Sequence, residues 1–224
     1  MRTRVKVCCI DSREEAAMAI DAGADLLGLV GPMPSGPGPI PLELAAESAQ
    51  AVPPGFASVL LTSATELAAL VEEIELVRPT VLQLTDAVRP AVLEGLRDQA
   101  PGTRLIQVLH VEDRGVVETA SALAPVVDGL LLDSGRPGAA VKELGGTGRV
   151  HDWRLSRQVV EAVNQPVFLA GGLGPQNIGS AIGAVRPFGV DLCSGIRTDG
   201  RLDAALLDAF MCGVRAADNQ ERSE

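Results

Sequence analysis

A chain of 224 residues exceeds most single domains but fits the roughly 250 that an α/β barrel occupies as one unit. Hydrophobic residues make up 46% and aromatic ones only 2%, with no Tyr, so the core is built from Val, Leu, Ile and Ala, and stacking on exposed bases is disfavoured. A net charge of −10 with no offsetting Lys/Arg run repels a polyphosphate backbone and argues against nucleic acid as a partner, while backbone N–H groups still allow an anionic small molecule.

No apolar segment approaches the ~20 residues that span a bilayer. Met1-Arg2-Thr3-Arg4 runs straight into an apolar stretch unlike a secretory leader, so no membrane partner and a cytoplasmic location are expected. Cys8, Cys9, Cys193 and Cys212 form no C-x-x-C motif, and His110 and His151 are the only histidines. The expectation is therefore no metal, and free thiols in a reducing compartment. Cys8 and Cys9, as strand neighbours, should point to opposite faces.

Taken in order, apolar runs rich in Val and Leu at 5–10, 25–30, 57–62, 80–84, 103–111, 127–133, 166–170 and 189–193 read as strands. Segments with helical spacing lie at 12–22, 42–52, 65–77, 87–99, 115–123, 155–163, 177–185 and 203–214. Ser12 can cap the first helix, Glu15 three residues on completes a capping box, and Gly23 supplies the stop. Strict β-then-α alternation implies parallel strands with right-handed crossovers, and eight units close a single-domain (β/α)₈ TIM barrel; an open doubly wound sheet is the alternative. The barrel is expected over 1–217, with 218–224 a polar, frayed tail.

Two irregular stretches, 31–41 and 134–152, follow strands, where a barrel carries its functional loops. The first holds five prolines and three glycines, which suits a lid, a binding rim or an exposed connector. Glycine clusters stand at Gly145-Gly146-Thr147-Gly148, at Gly171-Gly172 after the seventh strand and at Ser194-Gly195 after the eighth, the last two where barrels often bind phosphate. Pro175-Gln176-Asn177, just ahead of a helix, fits such a site. Period-two alternation puts Lys6 and Cys8 on one face, a cation beside a thiol, which favours the thiolate; the alternative is a buried structural thiol. Asp133 ends the sixth strand, as a candidate acid or as a turn cap.

Lys6-Val7-Cys8, Ala22-Gly23-Ala24-Asp25 with Leu27-Gly28, Leu82-Gln83-Leu84, Leu131-Leu132-Asp133-Ser134, Gly145-Gly146-Thr147-Gly148 with Asp152-Trp153, Leu169-Ala170-Gly171-Gly172-Leu173, and Val190-Asp191 with Ser194-Gly195 together resemble the phosphoribosylanthranilate isomerase family. The resemblance runs in order over nearly the whole chain. It implies a cofactor-free Amadori rearrangement of an aminoaldose phosphate to an aminoketose phosphate, part of tryptophan biosynthesis when the amine is anthranilate. Cys8 would be the general base at the sugar C2 and Asp133 the general acid at the ring oxygen, its pKa raised by burial or a neighbouring anion. Lys6, Gly146, Gly171, Gly172, Asp191, Ser194 and Gly195 would hold the phosphosugar, the one small-molecule partner, in a monomer or homodimer.

The departures from the family pattern cluster. Cys9 stands where Gly usually follows the cysteine, Thr85-Asp86 where His-Gly follows Gln-Leu, and Cys193-Ser194-Gly195-Ile196-Arg197 where Ser-Ser-Gly-Val-Glu is usual. No basic residue lies anywhere in 31–41, where the family carries an arginine associated with the anthranilate moiety. Losing that cation removes a charge-assisted hydrogen bond of ~1.5–3 kcal/mol, leaving Arg136 and Arg197 as candidate replacements. An isomerase of a different phosphoribosyl amine and a non-catalytic phosphosugar-binding barrel are the alternatives.

Overall fold

The computed structural model describes residues 2–34, 36–135 and 151–221. Eight parallel strands close in sequence order: β1 (Arg4–Val7), β2 (Leu26–Val30), β3 (Ala57–Thr62), β4 (Val81–Leu84), β5 (Arg104–His110), β6 (Gly129–Asp133), β7 (Val167–Leu169) and β8 (Gly189–Leu192). Closure comes from β1 pairing with β8, Lys6 opposite Asp191 and Val7 opposite Leu192. Around them run α1 (Arg13–Ala22), α2 (Leu42–Ala51), α3 (Leu67–Val77), α4 (Pro90–Gln99), α5 (Gly115–Leu123), α6 (Trp153–Ala162), α7 (Ile178–Val185) and α8 (Ala204–Glu221). This is the (β/α)₈ barrel that the alternation implies, and the open sheet is set aside by the β1–β8 ladder.

Two apolar layers follow from the strand period. One face of each strand packs on the helices, as with Leu60, Leu82, Leu130 and Leu132 against Leu70, Leu93 and Ile182. The other fills the barrel with Leu26, Val59, Val81, Ile106, Leu131 and Phe168. Gly189 accommodates the Phe168 ring, because a Cβ there would sit 2.6 Å from it. The barrel interior below the strand ends is thus filled with apolar side chains.

Local signals explain the helix ends. Ser12 Oγ accepts the Glu15 N–H at 3.3 Å, and Gly23 stops α1 in the left-handed region at φ 103°. The other arm of the expected capping box is turned elsewhere, because the Glu15 carboxylate takes Arg197 and the Leu202 N–H. The expected boundary at 217 also moves: α8 continues through Glu221, since the buried Asp218 carboxylate accepts the Thr3 N–H at 3.0 Å and its hydroxyl at 2.7 Å. A short hairpin that the apolar pattern does not signal, β9 (Arg197–Thr198) and β10 (Arg201–Leu202), links β8 to α8 through Asp199 and Gly200, both at positive φ. None of the described helices is long and apolar enough to cross a membrane.

Candidate active site

At the C-terminal ends of the strands lies a cavity with about 730 Å³ of empty space, counted out to its mouth. Cys8 after β1, Gln83 on β4, Asp133 at the end of β6, Gly171 and Gly172 after β7, and Asp191 and Ser194 on and after β8 all line it. The 31–41 stretch contributes Met33, Gly36 and Pro37, so it forms a rim of the cavity.

Lys6 lies beneath this cavity. It has no exposed surface, and its ammonium donates to Asp191 Oδ1 at 2.9 Å. Burial works to deprotonate it, but the Asp191 carboxylate and Cys8 outweigh that and hold its pKa above the ordinary value. Lys6 is therefore not among the residues lining the cavity, contrary to the role in ligand binding expected for it; it fixes Asp191 and sits beside Cys8. Gly28 on β2 makes the room, since a Cβ there would come 2.9 Å from the Cys8 sulfur and 3.2 Å from the Lys6 nitrogen.

The Cys8 thiol departs from the expectation of a stabilised thiolate. Full burial pushes its pKa up to about 11, and the opposing pull of Lys6 is itself countered by Asp191. Cys8 rests protonated. Asp133 is also raised, first by burial and then by the Asp191 charge, against the Ser134 N–H and the nearby His110 and Lys6. The Ser134 N–H donates to Asp133 Oδ1 at 2.7 Å, which orients the carboxyl group. Asp133 thus combines a turn contact with a raised pKa, the environment that a proton donor requires.

Cys9 breaks the expected alternation. β1 ends at Val7, and Cys9 takes a left-handed φ of 64°, so both Cys8 and Cys9 line the cavity rather than facing opposite ways. The expectation of free thiols fails at this residue: Cys9 and Cys193 form a disulfide across the β1 and β8 ends, while Cys8 and Cys212 are free. Parallel pairing of the first and last strands brings together residues 184 apart, a proximity invisible in local sequence.

The two glycine loops meet. A Cβ on Gly195 would lie against the Leu173 carbonyl oxygen, so only glycine lets the turn Ser194–Ile196 pack on the loop after β7. Gly195 supports that junction and, unlike Ser194, is not among the cavity-lining residues. Gly171 and Gly172 both have positive φ, at 86° and 64°. Asn177 holds their loop, accepting the Gly174 N–H and donating to the Gly172 carbonyl, each at 2.9 Å. Gly145 to Gly148 and Arg136 lie outside the described residues.

Arg197 has a different task from the one open to it in the sequence. Its guanidinium grips both Glu15 oxygens at 2.8–2.9 Å and donates to the Cys9 and Gly200 carbonyls. With these partners it is held behind the strand ends, and it is not a cavity-lining residue. Sequence reasoning gave no role to Gln83 and Thr85, whose polar side chains are buried at the cavity. The Gln-Leu motif on β4 was the available signal for Gln83.

A thiol and a buried carboxyl of raised pKa facing one cavity at the C-terminal end of a (β/α)₈ barrel are the parts of an acid–base barrel enzyme. The sequence pattern of N-(5'-phosphoribosyl)anthranilate (PRA) isomerase matches residues 5–212. An enzyme of that name from Methanocella arvoryzae is 36% identical over 95% of this chain and 98% of its own length. One from Moorella thermoacetica is 38% identical over 96% and 91%. Among solved structures, the Thermus thermophilus phosphoribosyl anthranilate isomerase superposes with a TM-score of 0.81 at 26% identity, covering 96% of this chain and 99% of that one. The chain belongs to the phosphoribosylanthranilate isomerase family.

Proposed function

We propose that the protein isomerises N-(5'-phosphoribosyl)anthranilate, an aldose–ketose step of tryptophan biosynthesis, by proton transfer between Cys8, Asp133 and the substrate. Asp133 gives its proton to the ring oxygen as the C1–O bond breaks and the amine nitrogen's lone pair forms C1=N. The Cys8 thiolate takes the C2 proton, and its electrons move toward C1 to give the enolamine. Proton transfer from the C2 hydroxyl to C1 then yields the aminoketose. No redox partner is needed, because C1 is reduced as C2 is oxidised.

The observation that carries this reading is the pairing of Cys8 with a burial-raised Asp133 in one cavity. A relative 26% identical with a TM-score of 0.76 was solved with reduced 1-(o-carboxyphenylamino)-1-deoxyribulose 5-phosphate, a ligand with the connectivity of such a product. The joined loops at Gly171, Gly172 and Ser194 would take the phosphate, with Gly195 behind them. The chain supplies all these residues itself, as a monomer or homodimer in the cytoplasm.

The test is turnover of freshly made phosphoribosylanthranilate, followed by loss of its fluorescence. Cys8→Ala and Asp133→Asn should each lower kcat by about 10²–10⁴-fold, the usual worth of a positioned acid or base. A rate unchanged in both variants would end the assignment. A second reading, an isomerase of a different phosphoribosyl amine, is favoured by the cavity lining: among the described residues it includes no Lys or Arg, and Arg197 is held by Glu15. Faster turnover with a non-carboxylated arylamine in place of anthranilate would select it.

A further inference from the structure

Two departures from the family pattern, Cys9 and Cys193, meet in space. Their Cα atoms are 6.0 Å apart, within the span a disulfide bridges without backbone movement. Three parts of the cavity join at this bond. Cys9 directly follows the candidate base, and Arg197 clamps its carbonyl at 2.6 Å. Cys193 directly precedes Ser194 and the turn against the loop after β7. Pro37 and Gly38 of the rim rest on Cys9: its sulfur lies 3.6 Å from the Pro37 carbonyl, and a Cβ on Gly38 would meet the Cys9 Cβ at 2.7 Å. When reduced, the Cys9 thiol has that carbonyl as a ready acceptor, so both redox states have a satisfied geometry.

We propose that Cys9 and Cys193 are a reversible dithiol/disulfide couple that sets the site's affinity for the phosphate end of its ligand. The disulfide ties the phosphate-side turn and the 31–41 rim to the strand end that bears Cys8. Ordering loops before binding raises affinity, because less freedom is lost when the ligand arrives. The effect on phosphate rests on the reading of Ser194 and the β7 loop given above; the couple itself does not.

The oxidant is a low-molecular-weight disulfide. Cys193 is half-buried and Cys9 only 5% exposed, so the reagent meets Cys193 first. The Cys193 thiolate attacks one sulfur of the reagent, the reagent's S–S bond breaks, and one thiolate leaves. Cys9 thiolate then attacks the Cys193 sulfur and expels the second. The protein loses two electrons and two protons, and the reagent becomes two thiols. A small-molecule or protein dithiol reverses the sequence.

The experiment equilibrates the whole protein with oxidised glutathione or with a phosphine, removes the reagent, and counts alkylatable thiols by mass spectrometry under denaturing conditions. Oxidation should remove two of the four, mapped to Cys9 and Cys193. Inorganic phosphate, titrated calorimetrically, should bind about three- to tenfold more tightly to the oxidised form. Cys193→Ser and Cys9→Ser should both stay at the reduced value under either treatment. All four thiols alkylating after oxidation would overturn the couple. Equal phosphate affinity in both states would overturn the affinity role while leaving the phosphate reading intact. If neither state binds phosphate, the phosphate reading falls; greater amide protection of residues 36–41 and 193–198 in the oxidised protein then supports the clamp, and equal protection overturns it.

Discussion

Lys6 is the side chain that sets the charge balance beside this cavity, although no part of it reaches the surface. A buried ammonium is tolerated only with a partner, and Asp191 supplies one at 2.9 Å across the closing ladder. Lys6→Met keeps the volume but leaves the Asp191 carboxylate buried and unpaired, which should cost about 3–5 kcal/mol in urea unfolding. Lys6→Met/Asp191→Leu should recover much of that, and equal losses in the single and double variants would sink the pairing argument. The same cluster dictates a pH profile. Cys8 rests as a thiol pushed up to about 11, and burial raises the Asp133 carboxyl as well, so the thiolate and the carboxylic acid occur together in only a small fraction of the protein. kcat/KM should be lowest where both groups are protonated and should not fall at the alkaline end before about pH 11, where Cys8 loses its proton. A fall between pH 7 and 9 would show instead that both groups are already deprotonated there.

Elements were legible wherever hydrophobic period decided them, and the errors fall where a single side chain decided. The strand over 57–62 and the helix over 115–123 stand in the structure as the pattern places them, since the strand is apolar and buried on both faces and the helix buries one regular face. The run Cys8-Cys9-Ile10 looks like more of β1 because it is apolar. It leaves the strand because Cys9 adopts a positive φ, a conformation sequence statistics expect of glycine. Asp133 and the two glycine loops were readable because strand ends are where a barrel keeps its site. The Cys9–Cys193 and Glu15–Arg197 pairs were not, since their partners lie 184 and 182 residues apart. The polar composition of 218–224 suggested fraying, yet Asp218 satisfies the Thr3 N–H at the start of β1. Asp218→Ala should therefore cost about 1–3 kcal/mol and raise amide exchange at Thr3, whereas a solvated tail would show neither. At the start of α6, burial holds His151 down to about 4, with Ser156 Oγ 2.7 Å from its Nε2. A depressed histidine favours the fold above its unfolded pKa of about 6.5, and that advantage is lost as pH falls toward 4. Wild type should lose more stability than His151→Gln between pH 6.5 and 4 in denaturant titrations.

A barrel closes only once its last unit meets its first, so the whole molecule depends on contacts that no βα unit can make alone. Here the ladder from Arg4 to Val7 against β8 is reinforced by one ion pair. Arg197, just past β8, joins Glu15 of α1 through both oxygens, and Glu15 also accepts the Leu202 N–H leading into α8. Both side chains are about nine-tenths buried, so salt screens the pair weakly. Burial alone would raise the Glu15 pKa, but the Arg197 and Leu202 donors hold it below the ordinary value. A group held down in this way stabilises the fold above its unfolded pKa and ceases to as pH falls through the folded value. These contacts form only between chain ends, so they arise late, when the ring shuts. Arg197→Leu should accordingly lower stability by about 1.5–3 kcal/mol or more, the worth of hydrogen bonds to a charged group. Most of the change should appear in the unfolding rate and little in the folding rate. A Glu15→Gln/Arg197→Leu double-mutant cycle should give a coupling that persists in 1 M salt. Coupling that vanishes in salt would mark a surface pair, and a slowed folding limb would mean that the ends meet before the barrel is built.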